Sequence, residues 1–98
     1  MTLAIFRVRM DPNNLDEYGR LAAEMSALAM TMPGYVSHKG YGAEDGENLV
    51  LVEFENEETM RRWGRDPRHA VAIGRASEFY LEYLFQVAEV TRENRFKR

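Results

Sequence analysis

Trp63 and His69 are the two side chains of this sequence best placed to do chemistry, and both lie in residues 52–83, VEFENEETMRRWGRDPRHAVAIGRASEFYLEY. An imidazole accepts and returns a proton near neutral pH, so His69 is a candidate general base. Trp63 is the sole tryptophan, and Tyr80 and Tyr83 follow shortly after. Four such residues in one short segment are more than surface decoration. They either seal a core or line a pocket. Other chemistries find no support. His38 and His69 are isolated from one another and from clustered carboxylates, so no metal-ligand spacing arises. There is no phosphate-binding loop and no dinucleotide glycine pattern. Ser26, Ser37 and Ser77 occupy no nucleophile-elbow context, and the Glu57-Glu58 pair reads as a helix start. With no cysteine, disulfide, thiolate and cysteine-metal chemistry are excluded, which fits a cytoplasmic location.

The elements that must position these side chains follow from periodicity. Residues 2–10 alternate, with Ala4, Phe6, Val8 and Met10 on one face and Leu3, Ile5, Arg7 and Arg9 on the other, which predicts a strand covered on both sides. Asp11-Pro12-Asn13-Asn14 stops it and offers caps for a helix over about 14–32. Its apolar stripe is Leu15, Tyr18, Leu21, Ala22, Met25, Leu28, Ala29 and Met32. Pro33-Gly34 ends that helix. A strand over 35–42 is expected to place Tyr35, Ser37, Lys39 and Tyr41 on one side, with His38 on the other. Residues 43–48 read as a hairpin turn, and LVLVEF within 49–55 as a central strand. Asn56 caps a short helix, Asp66 caps the next with Pro67 in its first turn, and Tyr80 is expected on the same helical face as His69, Ile73 and Ala76. The last strand is expected over 81 to about 93, with Tyr83, Phe85 and Val87 facing one way.

The order β-α-β-β-α-β, with the second helix broken, is that of the ferredoxin-like α+β fold: an antiparallel four-stranded sheet with helices on one face. Ninety-eight residues make one domain, 1–98, with residues 93–98 expected to form a flexible tail. Strands that are apolar on both faces need a partner for the uncovered one, and a homodimer with sheets face to face is the simplest arrangement. A net charge of −3 argues against nucleic acid, and the basic residues Arg92, Arg95, Lys97 and Arg98 form a solvated terminus. No window is long enough to span a membrane.

The layout, Pro33-Gly34-Tyr35 after the first helix, and the pattern Trp63, Asp66-Pro67, His69, Gly74-Arg75 together resemble the antibiotic biosynthesis monooxygenase family over essentially the whole chain. The resemblance implies a dimeric α/β barrel with a pocket between sheet and helices in each subunit. Some members of that family oxidise polycyclic aromatic compounds with dioxygen and no cofactor; others bind and degrade haem. The haem-degrading pattern needs an asparagine on the first strand and a histidine ten residues after the tryptophan. Those positions here hold Phe6 and Ile73, so haem is the less favoured reading. For the cofactor-free reaction the resemblance implies a base that ionises a phenolic or quinol-like substrate, whose carbanion then reduces dioxygen. His69 is the candidate catalytic residue. Trp63, Phe6, Phe54 and Tyr80 could wall the pocket, while Arg7, Tyr35 or Tyr83 could hydrogen-bond the ionised oxygen. No cofactor and no metal enter this scheme, and the partner is a small aromatic molecule. Each residue also has a packing role open to it: His69 against the preceding segment, Trp63 in the core, the tyrosines in a dimer interface, Arg7 in a salt bridge. A dimeric binding or stress-associated protein without turnover would use the same pocket.

Overall fold

The computed structural model describes residues Met1–Arg98. The alternating first segment forms β1, Thr2–Met10. A 3-10 turn at Pro12–Asn14, opened by Asp11 accepting from the Asn13 amide, leads into α1, Leu15–Thr31. The chain continues through β2 (Tyr35–Gly42), β3 (Asn48–Phe54), α2 (Glu57–Arg65), α3 (Pro67–Gly74), α4 (Ala76–Phe79) and β4 (Tyr80–Glu89). The strands make one antiparallel sheet in the order β2-β3-β1-β4. This is the ferredoxin-like α+β arrangement, with β1 and β3 central as their apolar runs require.

The helix-facing side of the sheet carries the core. Ala4, Val52, Phe54 and Met60 are buried together, with Met32, Tyr35, Val50 and Trp63 packed against them. Helix α2 reaches this core through Met60 and Trp63, one turn apart. Its opposite side is ionic, with Arg61 paired to Glu57 at 2.8 Å and Arg62 to Glu58 at 3.1 Å. Asn56 opens α2 in a capping box: its side chain accepts from the Thr59 amide, and the Thr59 hydroxyl reaches back to the Asn56 backbone.

On the other face of the sheet Leu3, Ile5, Leu49 and Leu51 are half-covered, and Tyr41 and Leu84 are exposed. Arg7 also points to this side, 2.9 Å from Glu47. Arg9 binds Asp45 at 2.8 Å and Glu82 at 3.1 Å, tying the β2–β3 turn to β1 and β4. Exposed pairs of this kind each contribute ~0–1 kcal/mol, so they fix the hairpin's position more than they stabilise the fold.

Three sequence expectations change. Tyr80 is the first residue of β4, opposite Met10, and not part of a helix. Arg75 causes the shift: it ends α3, its guanidinium holds Glu17 of α1 and Glu78 of α4, and it lies over the Phe79 ring at 5.0 Å. That anchors buried Phe79 and starts the strand directly after it. Strand β4 stops at Glu89, paired to Thr2, with one more backbone bond from the Val90 amide to the Met1 carbonyl at 3.0 Å. Finally, Tyr35 pairs with Phe54 while Ser37 pairs with Glu53, which leaves Val36 as an extra residue in β2. That irregularity puts Tyr35 on the same, helix-facing side as His38, and not with Ser37, Lys39 and Tyr41.

Candidate active site

The break between α2 and α3 builds the site. Asp66 accepts from the Arg68 amide at 2.9 Å, and Pro67 occupies the first turn of α3, so the backbone turns sharply between two capped helices. The turn folds His69, in the first turn of α3, back onto Trp63, near the end of α2. The two rings stack with centroids 4.4 Å apart and planes at 30°. On the sheet side Trp63 stacks on buried Phe54 at 5.5 Å.

His69 is half-buried, and burial lowers its pKa from the ordinary 6.5, opposed by hydrogen bonding to the Gly64 backbone and by the Asp66 carboxylate. Its place at a helix N-terminus works in the same direction as burial, since the helix dipole disfavours a cation there. Both effects favour the neutral imidazole. Nδ1 of His69 and Nε1 of Trp63 are both buried without a hydrogen-bond partner from the protein. Leaving such an atom unpaired costs ~1–3 kcal/mol, a cost that structural packing alone gives no reason to carry twice in one ring stack.

A second aromatic cluster lies beside the first on the same side of the sheet. Phe6 meets Tyr80 edge-on at 5.3 Å, Tyr83 at 5.7 Å and Phe85 at 6.3 Å. Tyr18 of α1 closes it, 5.6 Å from Tyr80. Burial, and then the hydrogen bond that Tyr80 donates to Tyr18, push the Tyr80 phenol well above its usual range, so it stays a neutral donor. The two clusters adjoin across the sheet, because Phe6 pairs with Val50 and Val50 packs against the core that contains Phe54. Tyr80 and Tyr83 also line an open groove of about 540 Å³, together with Ile73 of α3 and Leu81. Ile73 lies one turn along α3 from His69.

Among the candidates, Trp63, His69, Phe54 and Tyr35 are thus gathered in one ring stack and Phe6, Tyr80 and Tyr83 in its neighbour. Arg7 reaches neither, being on the opposite face with Glu47. Two residues with a bearing on the site escape the sequence reading. Tyr18 was one apolar position among many in the α1 stripe; its hydroxyl, which must find a partner when buried, was the available signal. His38 Nδ1 shares a hydrogen bond with the Tyr35 hydroxyl at 2.6 Å, a contact hidden by the extra residue Val36. No three His, Asp or Glu side chains converge so as to hold a metal ion, and no helix is long and apolar enough to cross a membrane.

The family model described as antibiotic biosynthesis monooxygenase matches residues 1–75. No curated protein sequence matches the chain. Among solved structures, Rv0793 from Mycobacterium tuberculosis is similar at a TM-score of 0.83 and 16% identity, over 94% of this chain and 96% of that one. SnoaB, a cofactor-independent oxygenase from Streptomyces nogalater, is similar at a TM-score of 0.79 and 13% identity, over 94% of each chain. A conserved protein from Methanosarcina mazei Go1 is similar at 0.79 and 13%, over 89% of each. At these identities the likeness is one of fold.

Proposed function

The chain belongs to the antibiotic biosynthesis monooxygenase family, and from that premise we propose that it oxygenates a small phenolic or quinol-like aromatic compound with dioxygen and no cofactor. The observation that carries this reading is the His69–Trp63 stack: a neutral imidazole with an unpartnered Nδ1, against an indole with an unpartnered Nε1. A flat substrate competes with His69 for the face of Trp63. As it enters, its hydroxyl satisfies Nδ1 and gives up its proton there. Ionisation moves electron density into the ring. The ring carbanion passes one electron to dioxygen, and the resulting radical pair joins through a carbon–oxygen bond. Cleavage of the oxygen–oxygen bond, with loss of the hydrogen on the oxygenated ring carbon, leaves one atom on the ring as a carbonyl and releases the other as water, which takes up that hydrogen and the proton that His69 held. Phenol plus dioxygen thus gives quinone plus water, with nothing else consumed. Phe54 and Phe6 keep the region dry, which strengthens the hydrogen bonds that hold the anion. Tyr80, held neutral, and Tyr83 are the donors nearest the second cluster, and the groove beside them gives the substrate its way in. The test is oxygen uptake by the purified protein against a panel of simple and polycyclic phenols, with Trp63 fluorescence read in parallel. Uptake in step with quinone formation is expected. Fluorescence quenching with no uptake by any phenol would leave a binding protein in its place.

We also infer a homodimer as the working form. Only 9 of 98 residues are buried in the single chain, and Leu3, Ile5, Leu49, Leu51 and Leu84 share the sheet face that no helix covers. A second copy laid face to face would cover them, with the Arg7–Glu47 and Arg9–Asp45 pairs at its rim. Light scattering at micromolar concentration is expected to give twice the chain mass, and Leu51→Glu to give the single mass. A wild-type monomer would overturn this. The absence of cysteine supports a reducing compartment, and we assign the enzyme to the cytoplasm.

A further inference from the structure

The ring stack does not end at Phe54. Tyr35 meets Phe54 edge-on at 6.1 Å, and the Tyr35 hydroxyl in turn hydrogen-bonds Nδ1 of His38 at 2.6 Å. From His69 to His38 the rings form one unbroken series, with centroid spacings of 4.4, 5.5, 6.1 and 5.8 Å. We propose that this series is a one-electron relay, in which an oxidising equivalent that reaches Trp63 is passed through Phe54 to the Tyr35–His38 pair.

The ends of the series are chemically different, and the difference sets the direction. A tryptophan that loses an electron becomes a radical cation, which is relieved by passing its Nε1 proton to an acceptor. Nε1 of Trp63 is buried and has no acceptor in the protein, so the cation keeps its proton and remains a strong oxidant. A tyrosine loses an electron readily only where its phenolic proton has somewhere to go. Of the five tyrosines, Tyr35 is the one whose hydroxyl is hydrogen-bonded to an imidazole; half-buried Tyr80 has another phenol, Tyr18, as its partner. An imidazole accepts that proton far better than a phenol does.

The steps balance. An organic or peroxyl radical, the class of oxidant formed when dioxygen reacts with a carbanion, takes one electron from Trp63 and becomes an anion. The Trp63 radical cation takes one electron from Tyr35 as the Tyr35 proton crosses to Nδ1 of His38. The products are restored Trp63, a neutral Tyr35 phenoxyl radical and protonated His38. Strand β2 is the edge of the sheet and His38 is partly exposed there, so a soluble reductant can return the electron away from the substrate. The relay would protect Trp63 from radicals that escape productive recombination. Its use in turnover rests on the oxygenase reading above, but its existence does not, and the test needs no substrate.

Azide radicals made by pulse radiolysis oxidise tryptophan in preference to tyrosine, and the two amino-acid radicals absorb at different wavelengths. In the wild-type protein the tryptophanyl signal is expected to decay as a tyrosyl signal rises, with one rate that does not change with protein concentration. Tyr35→Phe keeps the ring and removes the proton, and is expected to abolish that phase. His38→Gln keeps a hydrogen-bond acceptor but not a base, and is expected to slow the phase by about tenfold or more. Circular dichroism and the urea midpoint serve as folding controls. A tryptophanyl radical that outlives the measurement in the wild type would overturn the relay. So would an undiminished tyrosyl phase in Tyr35→Phe, and an unchanged rate in His38→Gln would remove His38 from it.

Discussion

Replacing His69 by glutamine is expected to lower phenol-dependent oxygen uptake by ~10²–10⁴-fold, the usual contribution of a positioned general base, with a smaller change in KM. Glutamine is close in size and can remain against Trp63, so the loss would report the missing proton acceptor and not a collapsed pocket. The wild-type pH profile tests the same residue independently. His69 acts as a base only when neutral, and burial places its folded pKa below 6.5. Activity should therefore hold to a pH lower than an ordinary histidine would permit, then fall as pH drops through the folded value. Stability moves in the same direction. Below pH 6.5 the unfolded chain protonates this ring more readily than the folded protein does, so stability falls as pH falls through that window; above 6.5 both states hold it neutral and there is no effect. The difference between wild-type and His69→Gln urea midpoints, followed across that window, isolates His69 because His38 is common to both proteins. Full oxygen uptake in His69→Gln would remove it as the base.

How much of this was legible in the sequence depended on range. The strands, the long helix and the cap at Asn56 were readable because each is dictated by local periodicity and capping chemistry. The antiparallel order followed because few topologies accommodate that series of elements. The Asp66-Pro67 break was legible as a break, but its consequence, His69 turned onto Trp63, required knowing how far α3 folds back. The facing of Tyr35 was misread because one extra residue inverts the side-chain alternation on one side of it, and no turn residue marks Val36. Tyr80 was misread because helical and strand spacing both accommodate a residue at that junction. Arg75 decided between them through contacts with Glu17, far away in sequence. Local pattern thus foretold the elements, while the pairings that make the site, Tyr18 with Tyr80 and Tyr35 with His38, lie beyond its reach.

Gly34→Ala is expected to destabilise the fold by about 2–5 kcal/mol. Two costs add. Gly34 has φ +86°, the left-handed region, where a residue with a Cβ loses roughly 1–2 kcal/mol. A Cβ there would also lie 2.5 Å from Cβ of Thr59, an overlap of the kind that costs ~1–3 kcal/mol to relieve. Relief is hard because neither side is free. Thr59 is held by the capping box that starts α2, and the Gly34 carbonyl accepts from the Glu55 amide at 2.8 Å, pinning the start of β2 to the end of β3. The movable body is α2, which carries Trp63. The mutant should therefore show more than a lower urea midpoint: its native-state Trp63 emission should shift toward that of a more exposed indole, because α2 is lifted from Phe54. Thr59→Gly separates the two costs. Alone it loses the cap and is destabilising, yet combined with Gly34→Ala the losses should sum to less than their parts, because the overlap is gone while the backbone cost remains. Additive losses would mean that the overlap is absorbed without moving α2, and that the close approach of Gly34 to Thr59 does not set the position of Trp63.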